Sequence, residues 1–226
     1  MSGRYFTKLT VRDVPLDNKT VLLRADYNVP LEEDGTIADD NRIIQSLPTL
    51  KYLLEDRQCS MVICSHLGRP DQGNHEKLSL QPVAKRLSTL LERNVDFIED
   101  CVGDKVAVVT KRLRPGQVIL LENLRFYEEE ENNDVTFARR LAHDSHARYF
   151  VQDGFGVVHR AHASTSAITQ FLPSVGGLLL EREYQHILGA IKHPKRPLIA
   201  ILGGAKIADK IEVIDEFINI ADRILI

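Results

Sequence analysis

The feature that most constrains this chain is an alternation of short apolar runs with stretches whose apolar residues recur at helical spacing. Thr20–Asp26, Ser60–Ser65, Val95–Ile98, Gln117–Leu121 and Arg148–Asp153 each read as a buried strand. Between them, Arg42–Leu54, Leu80–Leu91, Gly103–Leu113 and Asp134–His143 read as helices. Asp40 or Asn41 is placed to cap the first helix, and Pro48 inside it predicts a kink or the start of a new turn. Ser79 opens the second helix, with Pro82 tolerated in its first turn. Strands regularly separated by helices imply parallel β/α/β units, hence an α/β fold with a parallel sheet and helices on both faces. The acidic run Glu128–Glu131 reads as a solvated loop.

The pattern changes after Ala163. Phe171–Gly177 reads as a turn-rich joint, followed by a helix over Leu178–Ile191 and a break at His193–Pro197. Leu198–Leu202 is a new apolar strand, which runs into Gly203, Gly204, Ala205 and Lys206, then a helix over about Ala208–Ala221 and a strand from Arg223. The sequence stops inside that strand, so the expectation is one full domain over 1–172, a hinge helix over 173–192 and the opening of a second domain, apparently truncated, over 193–226. The chain has 226 residues, 29 Lys+Arg, 32 Asp+Glu and a net charge of −3. That balance argues against a nucleic-acid coat, no apolar run reaches the ~18 residues of a membrane span, and the first residues lack a signal-peptide core. Cys59, Cys64 and Cys101 are odd in number and unclustered, which disfavours a disulfide framework. The expectation is a soluble cytoplasmic protein.

In open parallel sheets ligands sit beyond the carboxyl ends of the strands. Asp26, Tyr27 and Asn28 follow the first strand, on the way to Arg42 at a helix start. His66, Leu67, Gly68 and Arg69 follow the second, Arg125 follows the Gln117–Leu121 strand, and His159, Arg160 and His162 follow Arg148–Asp153. Four strand exits thus each deliver an arginine, the side chain suited to bidentate recognition of phosphate or carboxylate. A basic pocket in a net-acidic chain points to a small polyanion. His143/His146 and His159/His162 are spaced i, i+3 without a third ligand in a metal-binding frame, so no metal is expected. His143 and His146 are placed near a helix C-terminus, where positive charge is favoured. No nucleophile elbow is present, and acyl-enzyme chemistry is unsupported. The strand–Gly203-Gly204-Ala205-Lys206–helix junction is a candidate phosphate cradle, with Lys210 on the same helical face as Lys206, but it is not a Walker A sequence.

Five segments, in order, carry a resemblance: Leu23-Arg-Ala-Asp-Tyr-Asn-Val-Pro-Leu31, Ser65-His-Leu-Gly-Arg-Pro70, Leu121-Glu-Asn-Leu-Arg-Phe126, His159-Arg-Ala-His-Ala-Ser-Thr165, and Leu202-Gly-Gly-Ala-Lys206 with Asp209-Lys210-Ile211. Together they resemble the phosphoglycerate kinases. The resemblance implies two Rossmann-like domains joined by a hinge near Val175–Ile191, the first holding 3-phosphoglycerate or 1,3-bisphosphoglycerate and the second Mg-ATP or Mg-ADP, in a monomer without nucleic-acid or membrane partners. It implies that Asp26, Tyr27, Asn28, Arg42, His66, Leu67, Gly68, Arg69, Arg125 and Arg160 form the substrate side. It also implies that Gly203, Gly204, Ala205, Lys206 and Lys210 face the nucleotide, and that Arg42 and Lys206 stabilise the transferred phosphoryl group. Tyr27 stands where the family usually has Phe. Gln152-Asp-Gly-Phe-Gly-Val-Val158 replaces the usual Asn-Asp-Ala-Phe-Gly-Thr-Ala, a change able to shift the loop carrying Arg160.

The implied reaction is reversible phosphoryl transfer from ATP to the carboxylate of 3-phosphoglycerate. That nucleophile is already ionised at pH 7 and needs no general base, so alignment and charge neutralisation carry the catalysis. Family members continue past Ile226, and the chain as given is expected to bind ATP poorly and turn over negligibly. Two other readings remain open: a non-catalytic anion-binding module, and a dinucleotide-dependent enzyme. The absence of Gly-x-Gly-x-x-Gly after the first strand counts against the second of these.

Overall fold

The structure is a computed structural model that describes residues 6–70, 75–203 and 211–226. Six strands form a wholly parallel sheet: β1 (Thr20–Arg24), β2 (Ser60–Cys64), β3 (Val95–Ile98), β4 (Val118–Leu121), β5 (Tyr149–Gln152) and β6 (Ser174–Gly176). Their order is β3-β4-β2-β1-β5-β6. The helices are α1 (Asn41–Lys51), α2 (Gln81–Leu91), α3 (Asp104–Thr110), α4 (Glu128–Glu131), α5 (Val135–Asp144) and α6 (Leu178–Lys192).

Strand periodicity divides the core in two. Val21 and Leu23 of β1, Met61 and Ile63 of β2 and Leu120 of β4 meet Ile43 and Leu50 of α1 and Val83 and Leu87 of α2. Leu22, Val62, Cys64, Ile119 and Leu121, from the same strands, meet Val106 of α3 and Phe137 and Leu141 of α5. Every second residue of a strand points to the other face, so a continuous apolar run is what two covered faces require. The chain leaves β1 toward β2 and leaves β5 toward β6 on the opposite side. The point where the strand order reverses therefore lies between β1 and β5, the crevice where ligands bind in such sheets.

Contacts divide the chain into Lys8–Glu181, which holds this sheet, and a smaller unit of Arg182–Ile226 with the N-terminal residues to Thr7. Within the smaller unit β7 (Ile199–Ile201) pairs in parallel with β8 (Arg223–Leu225), and α7 (Ile211–Ile218) lies between them in the chain.

Several local expectations are corrected. The joint at 171–177 contains β6, a three-residue edge strand in which Val175 is buried; such a strand tolerates the preceding Pro173. Helix α1 runs through Pro48 and widens afterwards into a π-helical segment, Tyr52–Asp56. Asp40 occupies the N-cap position but makes no capping bond, because its carboxylate is held by Arg86 at 2.7 Å. The run at 128–131 is not a solvated loop. It is the helical turn α4, and a turn aims one of four successive side chains inward, so Glu130 is fully buried.

Candidate functional site

The polar groups gather where the strands end. At the exit of β1, Asp26 pairs with Arg42, two residues inside α1, and its Oδ1 accepts from the Asn28 N–H at 3.2 Å. The Asn28 Oδ1 in turn accepts from the Gly68 N–H at 2.7 Å, which ties the β1 exit to the β2 exit. Gly68 has φ +60°, and its carbonyl accepts from Arg125 Nη1 at 2.6 Å, which brings in the exit of β4. The fourth exit closes the ring: a side chain at Gly156, after β5, would run into the Asp26 carboxylate. Two carbonyl-rich turns are held by Asn123, whose Nδ2 donates to Leu67 O and Leu78 O while its Oδ1 accepts from the Leu67 and Arg125 N–H groups.

The arginines are close enough to act on one another. Burial is the main reason His66 is held far below its ordinary pKa, at about 2, and Arg24, Arg125, Arg160 and Arg42 all push in the same direction. Burial also lowers the Arg125 pKa; Glu131 opposes this at 2.9 Å, while Arg160, Arg24 and Arg69 reinforce it. His162 is lowered by burial, against the attraction of Glu130 and Glu131. His66 is therefore neutral at physiological pH, and the cations around it are arginines that keep their charge. The Nε of Arg125 is buried without a hydrogen-bond partner among the described residues.

The structure thus brings together Asp26, Asn28, Arg42, His66, Arg125 and Arg160, and places Arg69 within electrostatic range of Arg125. It gives three expected ligand contacts other duties. The Tyr27 side chain is fully buried in the core, with its hydroxyl 3.0 Å from Ser46 Oγ of α1, so it braces the helix carrying Arg42. Leu67 is buried, and its N–H and carbonyl are both taken by Asn123. Gly68 joins Asn28 to Arg125 through its backbone, and its missing Cβ leaves room for the Leu78 side chain. In the smaller unit, Gly203 has open space where a Cβ would stand; Gly204, Ala205, Lys206 and Lys210 lie outside the described residues. No group of three or more metal-ligating side chains occurs among the described residues.

The sequence reading missed a second set of residues beneath the first. Arg24, the last residue of β1, is 1% exposed. Its Nε donates to Ser164 Oγ at 2.8 Å, its Nη1 to Ala25 O at 2.5 Å, and its Nη2 lies 3.3 Å from His66 Nδ1. Glu130 accepts from the Ser164 N–H at 2.9 Å and from its hydroxyl at 2.5 Å, and stands 3.7 Å from Arg24 Nη2. One signal was available: an arginine in an otherwise apolar strand must be paired if it is buried. Nothing in a run of four glutamates marks which of them is the partner. A separate groove of about 490 Å³, lined by Arg139, His143, His146 and Arg148, takes no residue from the strand exits.

Comparison with known proteins agrees with this geometry. The family model described as phosphoglycerate kinase matches residues 11–226. A phosphoglycerate kinase of Prochlorococcus marinus (strain MIT 9312) is 49% identical over 212 residues, 93% of this chain and 52% of the relative. One from Dictyoglomus turgidum is 50% identical over 220 residues, 97% of this chain and 54% of the relative. Among solved structures, the phosphoglycerate kinase from Pyrococcus horikoshii OT3 superposes with a TM-score of 0.85 at 33% identity, over 96% of this chain and 54% of that one. The enzyme from Coxiella burnetii gives a TM-score of 0.80 at 35% identity, with the same coverage. The chain spans about half the length of the curated relatives it matches. With a family match across nearly all its residues and the family's parallel sheet beneath its arginines, the chain belongs to the phosphoglycerate kinase family.

Proposed function

We propose that Lys8–Glu181 holds the 3-phosphoglycerate side of a phosphoglycerate kinase. The whole protein would catalyse reversible phosphoryl transfer between ATP and the carboxylate of 3-phosphoglycerate, giving 1,3-bisphosphoglycerate. The observation that carries this reading is the convergence of Arg24, Arg42, Arg125 and Arg160 on a neutral His66 at the strand ends. Arginines that stay charged suit a reaction whose nucleophile is already an anion.

Arg69, Arg125 and Arg160 would hold the phosphate that does not react, and Asp26 and Asn28 the glycerate end. Arg42 would face the carboxylate where the phosphoryl group arrives. Its present partner, Asp26, is itself part of the site, so a bound carboxylate can share or replace that contact. Mg-ATP or Mg-ADP is a substrate in this reading, held by Gly203, Gly204, Ala205, Lys206 and Lys210, with Lys206 neutralising the transferred group. We assign the substrate domain to 1–172, a hinge helix to 173–192 and the start of the nucleotide domain to 193–226, in a monomeric cytoplasmic enzyme.

The test is calorimetric titration of 3-phosphoglycerate into the chain at two salt concentrations. Each charged hydrogen bond contributes roughly 1.5–3 kcal/mol, so Arg69→Ala or Arg160→Ala should raise Kd at least about tenfold, and salt should weaken binding. If both variants titrate like the parent, the assignment of the pocket is wrong.

A further inference from the structure

The buried set beneath the arginines fixes the direction of every proton in it. The Arg24 guanidinium can only donate. Its Nε therefore donates to Ser164 Oγ, and the Ser164 hydroxyl proton goes to Glu130 Oε1. By the same rule the ring nitrogen opposite Arg24 Nη2, His66 Nδ1, must be the acceptor. A neutral imidazole that accepts at Nδ1 carries its proton at Nε2. Among the described residues His66 Nε2 makes no hydrogen bond, so its N–H is left for a ligand. The charges facing His66 are Arg24 from β1, Arg42 from α1, Arg125 from the β4 exit and Arg160 from the β5 exit, with Glu130 of α4 behind Arg24.

We propose that Glu130, Ser164 and Arg24 are positioning residues that lock His66 as a neutral Nε2–H donor facing the anion pocket. The set would add an uncharged, directional hydrogen bond beside the arginines of the site, and one that acidity between pH 5 and 8 does not switch. Glu130 supplies the charge that keeps Arg24 in place, Ser164 spans the two, and Arg24 sets the tautomer. The direction of that N–H bears on recognition only if the arginine cluster is an anion site, so the inference rests on the functional reading given above.

The experiment is long-range proton–nitrogen correlation NMR on the ligand-free, nitrogen-15-labelled chain, which reads the protonation of each ring nitrogen. His66 should show an unprotonated Nδ1 and a protonated Nε2, unchanged from pH 5 to 8. A protonated Nδ1, or a titration midpoint inside that range, overturns the proposal. The double variant Arg24→Met/Glu130→Gln removes the donor and its counter-charge together and leaves no uncompensated buried ion. In it, His66 should populate the Nδ1–H form or begin to titrate; a ring still locked as Nε2–H also overturns the proposal. Should the double variant not fold, the parent spectrum still decides the tautomer. Adding 3-phosphoglycerate afterwards separates the two readings: no binding sinks the functional assignment while the ligand-free ring-nitrogen result stands.

Discussion

Two arginines of this site, Arg24 and Arg42, are each paired with a carboxylate yet live under opposite conditions. Arg24 ends a central strand and is 1% exposed, with each of its three guanidinium nitrogens bonded to a protein group and a fully buried counter-charge, Glu130. The Arg42 side chain is 48% exposed and has one carboxylate, Asp26, at the rim of the crevice. Arg42 also lies in the first turn of α1, where the helix dipole disfavours a cation by about 0.3–1 kcal/mol. An arginine in a strand is folded into the scaffold. One at a helix start keeps a solvent-facing charge whose partner can be exchanged for a ligand.

The largest expected effect breaks the buried half. Arg24→Ala leaves Glu130 without its counter-charge in a dry environment, which costs about 3–5 kcal/mol. Urea unfolding should show the midpoint falling accordingly, and a midpoint equal to the parent's would erase the distinction between the two arginines. Arg42→Ala should behave in the opposite way. Its pair is exposed and worth about 0–1 kcal/mol, so the thermal melt should barely move. In the whole enzyme, kcat should fall on the order of 10³-fold, as for an arginine on a transferring phosphoryl group, while 3-phosphoglycerate Kd stays within a few-fold. Arg42→Lys should recover only part of the rate, because a point charge cannot reproduce the planar fork. If Arg42 only steadied the helix start, the variant would lose stability and keep its turnover.

The third prediction concerns His66, which lies between the two. Its folded pKa of about 2 is below the unfolded value near 6.5. Between those values the unfolded chain binds a proton that the folded chain refuses, so stability falls as pH drops from about 6.5. The slope approaches 1.4 kcal/mol per pH unit, which amounts to about 2 kcal/mol between pH 7 and 5. His66→Gln should lose that much less stability over the same range, although His162, also lowered, leaves some acid sensitivity behind. Parallel denaturation curves for parent and variant at both pH values would show that His66 is not held neutral.

The arginines at the strand exits were readable in the sequence, and the set of residues beneath them was not. Arg42, Arg125 and Arg160 follow predicted strands, and a parallel sheet sends every strand's carboxyl end to one edge. The residues at those exits therefore converge whatever the details of the loops. Tyr27 and Leu67 follow strands as well, but their apolar bodies turn into the core, a choice that depends on the packing partner and not on chain position. Glu130 could not be found because its role depends on Arg24 and Ser164, both far from it in the chain. Strand β6 was missed for a related reason. Only three residues long and flanked by Pro173 and Gly177, it owes its form to pairing with β5.

The smallest expected effect tests how a third arginine, Arg160, is held. It follows the 3₁₀ turn Phe155–Val157, and its N–H donates to the Val157 carbonyl at 2.9 Å. A Cβ at Gly154 would stand 3.1 Å from Val157 Cγ2, 3.3 Å from Gln152 Oε1 and 3.4 Å from the Ala25 carbonyl carbon. Gln152, Gly154 and Val157 are three of the positions where this chain departs from the usual pattern, and here Gly154 lies against both of the others. The glycine φ of −84° is open to any residue, so Gly154→Ala is a question of space alone. It removes unfolded-state entropy, a gain of roughly 0.4–1 kcal/mol. Against this stands the crowding of a buried Val157, at about 1–3 kcal/mol for an overpacked core site. The net expectation is a loss of about 1 kcal/mol, with a two- to threefold rise in 3-phosphoglycerate Kd as the turn carrying Arg160 shifts. Val157→Ala should relieve the crowding, so the double variant should be more stable than the sum of the single changes by about 0.5–1 kcal/mol. Strict additivity in that cycle would mean that Val157 yields without moving the turn, and that Arg160 is held by something other than this contact.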